Sequence, residues 1–233
     1  MGPAFPHWLT VLSATSIAIA LTCAAIVAID EIQRPQAMWI MNLVWPLTTL
    51  FGGIIWLAGY AAWARAHRKS GSSPGMTIAV AKGASHCGAG CVLGDLIGEA
   101  LALAFPPVVA LFGWRWLFND RIFAVWALDF ILALMIGIAF QYFAIQGEEN
   151  RSISERVIQA LKADVMSIAA WQVGMFGFMA AAQFLWLRPR YGGTAGAVTP
   201  VFWFAMQLAM LCGFVTAYPV NWLLVRTGLK EKM

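Results

Sequence analysis

The sequence predicts an all-α, polytopic membrane helix bundle, and three observations carry that expectation. Six apolar stretches, at about 8–29, 37–63, 86–113, 121–145, 165–187 and 200–225, each reach the roughly 20 residues needed to cross a bilayer. Only 11% of the chain is charged and 61% is hydrophobic, whereas soluble domains carry about 25% charged residues. The apolar runs are continuous rather than alternating, so helices, not barrel strands, must satisfy the backbone in lipid.

The same composition excludes several classes. The net charge of +4 is no nucleic-acid signal, because the basic residues sit in loops rather than on one face. The cysteines are too scattered among apolar segments for a disulfide framework. The first apolar stretch is too long for a signal peptide and no small-residue cleavage site closes it. No Walker loop or dinucleotide fingerprint is present, since GAG at 88–90 lacks a preceding strand.

Taken in order, the first two spans and a basic loop form an N-terminal segment, 1–79, and the four remaining spans form a second unit, 80–233. Residues 64–82, ARAHRKSGSSPGMTIAVAK, read as an exposed cytoplasmic loop, basic and then Gly/Ser/Pro-rich. In the third span Pro106–Pro107 is expected to end the helix early and leave 108–114 as a separate piece. Pro46 and Pro219 are expected to interrupt the second and sixth spans. Residues 147–164 read as a short amphipathic helix on the cytoplasmic surface. Ser152 and Glu155 make a capping-box pattern, and Ile153, Val157, Ile158 and Leu161 share one side. Gln172, Gln183 and Gln207 offer hydrogen bonds between helices, and the methionine pairs Met38/Met41, Met175/Met179 and Met206/Met210 read as packing rather than copper ligands. Trp8, Trp63, Trp114, Trp116, Trp203 and Trp222 fall near span ends, as an interfacial belt requires.

An even number of spans places both termini on one side. With that side inside, Arg65, Arg68, Lys69, Lys82, Arg151, Arg156, Lys162, Arg226, Lys230 and Lys232 are cytoplasmic, against Arg34, Arg115, Arg121, Arg188 and Arg190 outside. This bias predicts an N-in, C-in membrane protein.

The third span carries the densest chemistry, HCGAGCVLGDLIGE at 86–99. Cys87, Cys91, Asp95 and Glu99 recur every fourth residue, so they share one helix face, with His86 beside it. Gly88, Gly90, Gly94 and Gly98 strip bulk from neighbouring faces and allow another helix close. Each buried acid costs about 2.5–3.5 kcal/mol on insertion scales, so the pair calls for a cation, a proton, water or a polar partner. Asp129 in the fourth span, and Lys162 and Asp164 at the start of the fifth, are further candidates for ion or proton handling or for helix pairing. A cap or an ion pair would explain Asp164.

HCGAGCVLGDLIGE, FQYFAI (140–145), LKADVMSIAAWQVGM (161–175) and YPVNWLLVRTGLKEKM (218–233) together resemble an uncharacterised bacterial multi-pass membrane family, the domain of unknown function 4396. The resemblance covers about 80–233, and the first two spans look like the N-terminal extension of longer members. The motif positions are His86, Cys87, Cys91, Gly94, Asp95, Lys162, Asp164, Tyr218, Pro219 and Asn221. The resemblance implies a membrane fold and supplies no activity.

Two functions remain open at this level. His86, Cys87 and Cys91 suit a soft metal such as Cu(I), with Asp95 and Glu99 deeper along the path; plain packing of the cysteines is the competing explanation. Alternatively the chain is an accessory or assembly subunit of a larger membrane complex, its glycine faces and 12 tryptophans serving lateral packing. No catalytic residues are expected. A Cys87 nucleophile with His86 as base is disfavoured, because adjacent helical residues point about 100° apart.

Overall fold

Helix α1 (His7–Gln33) opens the chain and turns back through a short connection into α2 (Met41–Gly59), which a π-helical turn extends over Tyr60–Ala64. Next come α3 (Met76–Ala104), the short α4 (Pro107–Leu111) and α5 (Arg121–Ala144). Helix α6 (Ile153–Ala180) runs into a π-helical stretch, Ala181–Leu187, then α7 (Arg188–Tyr191), and α8 (Pro200–Arg226) is the last. The computed structural model describes residues 3–36, 38–64, 75–144 and 153–230, with no strand among them. Six of its helical stretches are long and apolar enough to cross a membrane. The protein is a multi-pass helical membrane protein.

Three local differences from the sequence expectation have physical reasons. The third span starts at Met76 rather than near 86, because MTIAVAKGAS contains good helix formers and tolerates Lys82 at its flank. The stretch before Asp164 is not a separate surface helix: α6 runs unbroken from Ile153 to Ala180, since no proline or glycine interrupts 153–173. Ile158 and Leu161 are exposed on it. Ser152 lies outside the described residues with Arg65, Arg68, Lys69, Arg151 and Lys232, as do the side chains of Ile153, Glu155, Arg156 and Val157. In α2 the break falls at Gly53 (φ 51°, ψ −129°) rather than at Pro46, a conformation that glycine adopts without a Cβ penalty. Helix α8 continues through Pro219. As expected, Phe105 ends α3 and Pro107 opens a separate short helix.

Helix α3 is the axis of the bundle. In its apolar window 61% of residues are buried, against 28–39% in the other spans, and it touches α2, α5, α6 and α8. Glycine spacing explains how it is enclosed. Gly90, Gly94 and Gly98 meet Gly137, Ala133 and Asp129 of α5 in antiparallel steps; a Cβ at Gly94 would lie 2.6 Å from the Ala133 nitrogen. Gly88 turns to α6 instead, where the Trp171 ring fills the space a side chain would take. Gln207 ties three helices together. It donates to the Leu50 carbonyl of α2 at 2.9 Å and accepts from Ser16 of α1 at 2.8 Å. Met175, Met179, Met206 and Met210 are buried in the main core, and Met38 and Met41 belong to a smaller one.

Candidate functional site

The residues of the 87–91–95–99 series are all buried, yet the series divides between different neighbours. Cys87 and Cys91 look toward α6. Asp95 and Glu99 belong to a carboxyl cluster shared with α5.

At the thiol end, Cys87 sits in a closed polar network. Its thiol donates to Asp164 Oδ1 at 3.3 Å, and its sulfur accepts from Ser167 Oγ at 3.0 Å and from Lys230 Nζ at 3.1 Å. Lys230 also pairs with Asp164 at 2.9 Å, both side chains wholly buried, and donates to the Gly83 carbonyl at 3.3 Å. Asn221 of α8 donates to Ser167 Oγ at 2.6 Å and to the Ala217 carbonyl at 2.9 Å. Lys230 thus returns from beyond the end of α8 and inserts between α3 and α6. Burial opposes its positive charge, but Asp164, Cys87 and the hydrogen bonds to both outweigh this and hold the ammonium above the ordinary lysine range. One turn further along α3, Gln172 Nε2 lies 3.8 Å from the Cys91 sulfur.

His86 faces elsewhere. It is fully buried, its ring centroid is 5.9 Å from that of Phe140, and neither ring nitrogen has a hydrogen-bond partner among the described residues. Among the described residues no group of three or more His, Cys, Asp and Glu side chains is arranged to hold a metal. His86, Cys87 and Cys91 are therefore not gathered into one ligand set, and Cys87 already shares its sulfur with an ammonium.

At the carboxyl end, Asp95, Glu99 and Asp129 are within electrostatic reach of one another. Asp95 and Asp129 are about 1% exposed or less, and none of their four carboxyl oxygens has a hydrogen-bond partner among the described residues. The Asp129 carboxyl lies against Gly98, the position where α3 has no side chain to displace it. Arg121, at the start of α5, acts on Glu99 and donates to the Ala102 carbonyl at 2.5 Å. Arg121 thus stands beside Glu99, and among the described residues Asp95 and Asp129 have only other acids as charged neighbours.

The family model for Domain of unknown function (DUF4396) matches residues 78–230, most of the chain. The chain belongs to the DUF4396 family. No curated protein and no solved structure matches it. The DUF4396 match takes in the whole of the thiol network, from Gly83 to Lys230, and all three acids, and it leaves α1 and α2 outside.

Of the residues singled out in the sequence, the fold gathers Cys87 with Asp164 and Asn221, and Asp95 with Glu99 and Asp129. Asp164 takes the ion pair rather than the cap. Lys162, two positions away, is exposed; the partner is Lys230, which sequence reasoning counted only as a tail charge. Ser167 was missed as well. A signal existed for both, since each lies inside a quoted motif stretch, LKADVMSIAAWQVGM and YPVNWLLVRTGLKEKM. Only the fold places the two stretches side by side.

Proposed function

We propose that this protein holds a proton or small cation at Asp95, Glu99 and Asp129 and passes it along the polar face of α3 in the bacterial inner membrane. The observation that carries this reading is the pair of buried acids, Asp95 and Asp129, with four unpartnered oxygens inside membrane-spanning helices. An acid kept only for helix pairing would show the hydrogen bonds that repay its burial, and these two show none. From Cys87 to Glu99 the face rises about 18 Å at 1.5 Å per residue, more than half of the roughly 30 Å hydrocarbon core. Polar groups therefore mark much of the crossing distance. A proton on one acid, or a cation between two, relieves the like-charge repulsion of the trio.

Copper binding and a subunit role have no observation of equal weight behind them. Cys87 already has three polar partners, and lipid contact accounts for the exposed apolar side chains.

The test is cation movement in liposomes holding the purified protein, read with an internal pH dye and with sodium and potassium indicators under an imposed potential. Flux is expected in the wild type and should fall about tenfold or more in Asp95→Asn and Asp129→Asn. Equal flux in the wild type and in the double variant would overturn the reading.

A further inference from the structure

A cavity of about 280 Å³ opens beside the carboxyl cluster, between α1, α2, α3 and α8. Phe51, Trp203, Met206 and Met210 give it an apolar lining, and two polar side chains, Asp95 and Gln207, reach it. These two differ in what they have left to offer. Gln207 already donates one N–H to Leu50 and accepts one hydrogen bond from Ser16. Asp95 is 1% exposed and both its oxygens are unpartnered. The cavity is thus a greasy chamber with one unpartnered carboxyl, Asp95, in its wall and two further acids near that carboxyl.

We propose that this cavity binds a small protonated amine with an apolar body, its ammonium hydrogen-bonded to Asp95. The inference rests on the cation-handling reading above, because it uses the same Asp95, and adds an organic cation that reaches that carboxyl from the cavity side. Each property of the chamber selects part of that ligand. The carboxyl selects a positive charge, and its two buried, unpartnered oxygens select N–H donors, which a quaternary ammonium lacks. Apolar walls, Trp203 among them, select a hydrocarbon body. Methionine thioethers adapt to more than one body shape. A hard divalent ion is a poor occupant of the chamber itself, because it wants six or more oxygen ligands and one carboxyl lines the wall. The volume lies near the lower end of the range for ligand pockets, about 300 Å³, which confines the occupant to a small amine.

The experiment uses the full chain in lipid nanodiscs, with 2-phenylethylammonium as probe and 2-phenylethanol as its uncharged counterpart, followed by tryptophan fluorescence and calorimetry. The amine should bind at least about tenfold tighter than the alcohol, the worth of one charge-assisted hydrogen bond. Asp95→Asn should abolish that preference. Ala20→Phe, which fills the cavity from α1 and leaves all three acids in place, should abolish amine binding while sparing cation flux in liposomes. Equal binding of amine and alcohol would make the chamber a general apolar site and overturn the proposal. So would amine binding that survives Ala20→Phe. Cation flux that persists while the amine shows no preference refutes the amine alone. Loss of flux from every preparation, with the amine preference intact, refutes the flux reading and leaves the pocket.

Discussion

Lys230 is the residue on which the thiol network depends. It makes three polar contacts, to Asp164, Cys87 and the Gly83 carbonyl, from a position with no solvent to replace any of them. Removing one member of a buried pair strands the other charge, at a cost of about 3–5 kcal/mol. Lys230→Met and Asp164→Asn should each lower the unfolding midpoint strongly, and the double variant should be less damaged than the sum of the two. Reversible unfolding in mixed micelles measures that cycle; simple additivity would mean the pair contributes no coupling. The pH dependence has a definite sign. A lysine held above its ordinary range contributes stability that is fully present at lower pH and is lost only as pH rises through the folded-state value. Between about pH 6 and 9 the pair should therefore leave the midpoint flat. At this scale the sequence was legible for Asp164 and Asn221 and silent on Lys230. A charge after the last span looks like a tail charge until the fold turns it inward.

Among the elements, α3 and α5 show most clearly how spacing becomes structure. Three small residues at four-residue intervals on α3 face Gly137, Ala133 and Asp129 on α5, so the two backbones approach where side chains would keep them apart. Gly94→Leu puts its Cβ 2.6 Å from a backbone nitrogen that cannot rotate away. Helix separation there should cost about 1–3 kcal/mol or more. Gly177→Ala, with nothing within 4 Å of the added Cβ, should be nearly neutral. Comparing the two variants in the same unfolding assay separates packing from general intolerance of substitution. The glycine face was legible because its period matches the helix. The split of the thiol and carboxyl series was not, since one helix face can meet α6 at one level and α5 at another. Nor did hydropathy locate the start of α3 or the unbroken run of α6. It reports apolar content, and both segments are helical despite their charges.

On the scale of the molecule, orientation decides which side of the membrane reaches each half of the polar face. The start of Asp164–Tyr191 and the end of Pro200–Arg226 lie at one end of the bundle, joined by the Asp164–Lys230 pair. Two of the basic residues counted as cytoplasmic need discounting in this structure: Lys230 is neutralised by Asp164, and Lys82 lies inside the span Met76–Ala104. Arg156 and Lys162, by contrast, precede the span Asp164–Tyr191, and Arg226 is the last residue of its span. Arg65, Arg68, Lys69, Arg151, Arg156, Lys162, Arg226 and Lys232 still outnumber Arg34, Arg115, Arg121, Arg188 and Arg190, so the asymmetry survives and favours both termini inside. Reporter fusions after Met233 should therefore be active for a cytoplasmic reporter and inactive for an exported one. Fusions in the 192–199 connection should show the reverse. With that orientation the Cys87 network faces the cytoplasm and Arg121 the exterior, with the acid trio between them. The opposite reporter pattern would exchange the two ends, and a cation from outside would then meet Lys230, not Arg121, as its first charged neighbour. Fixing the orientation thus fixes the order in which a crossing cation meets the buried groups.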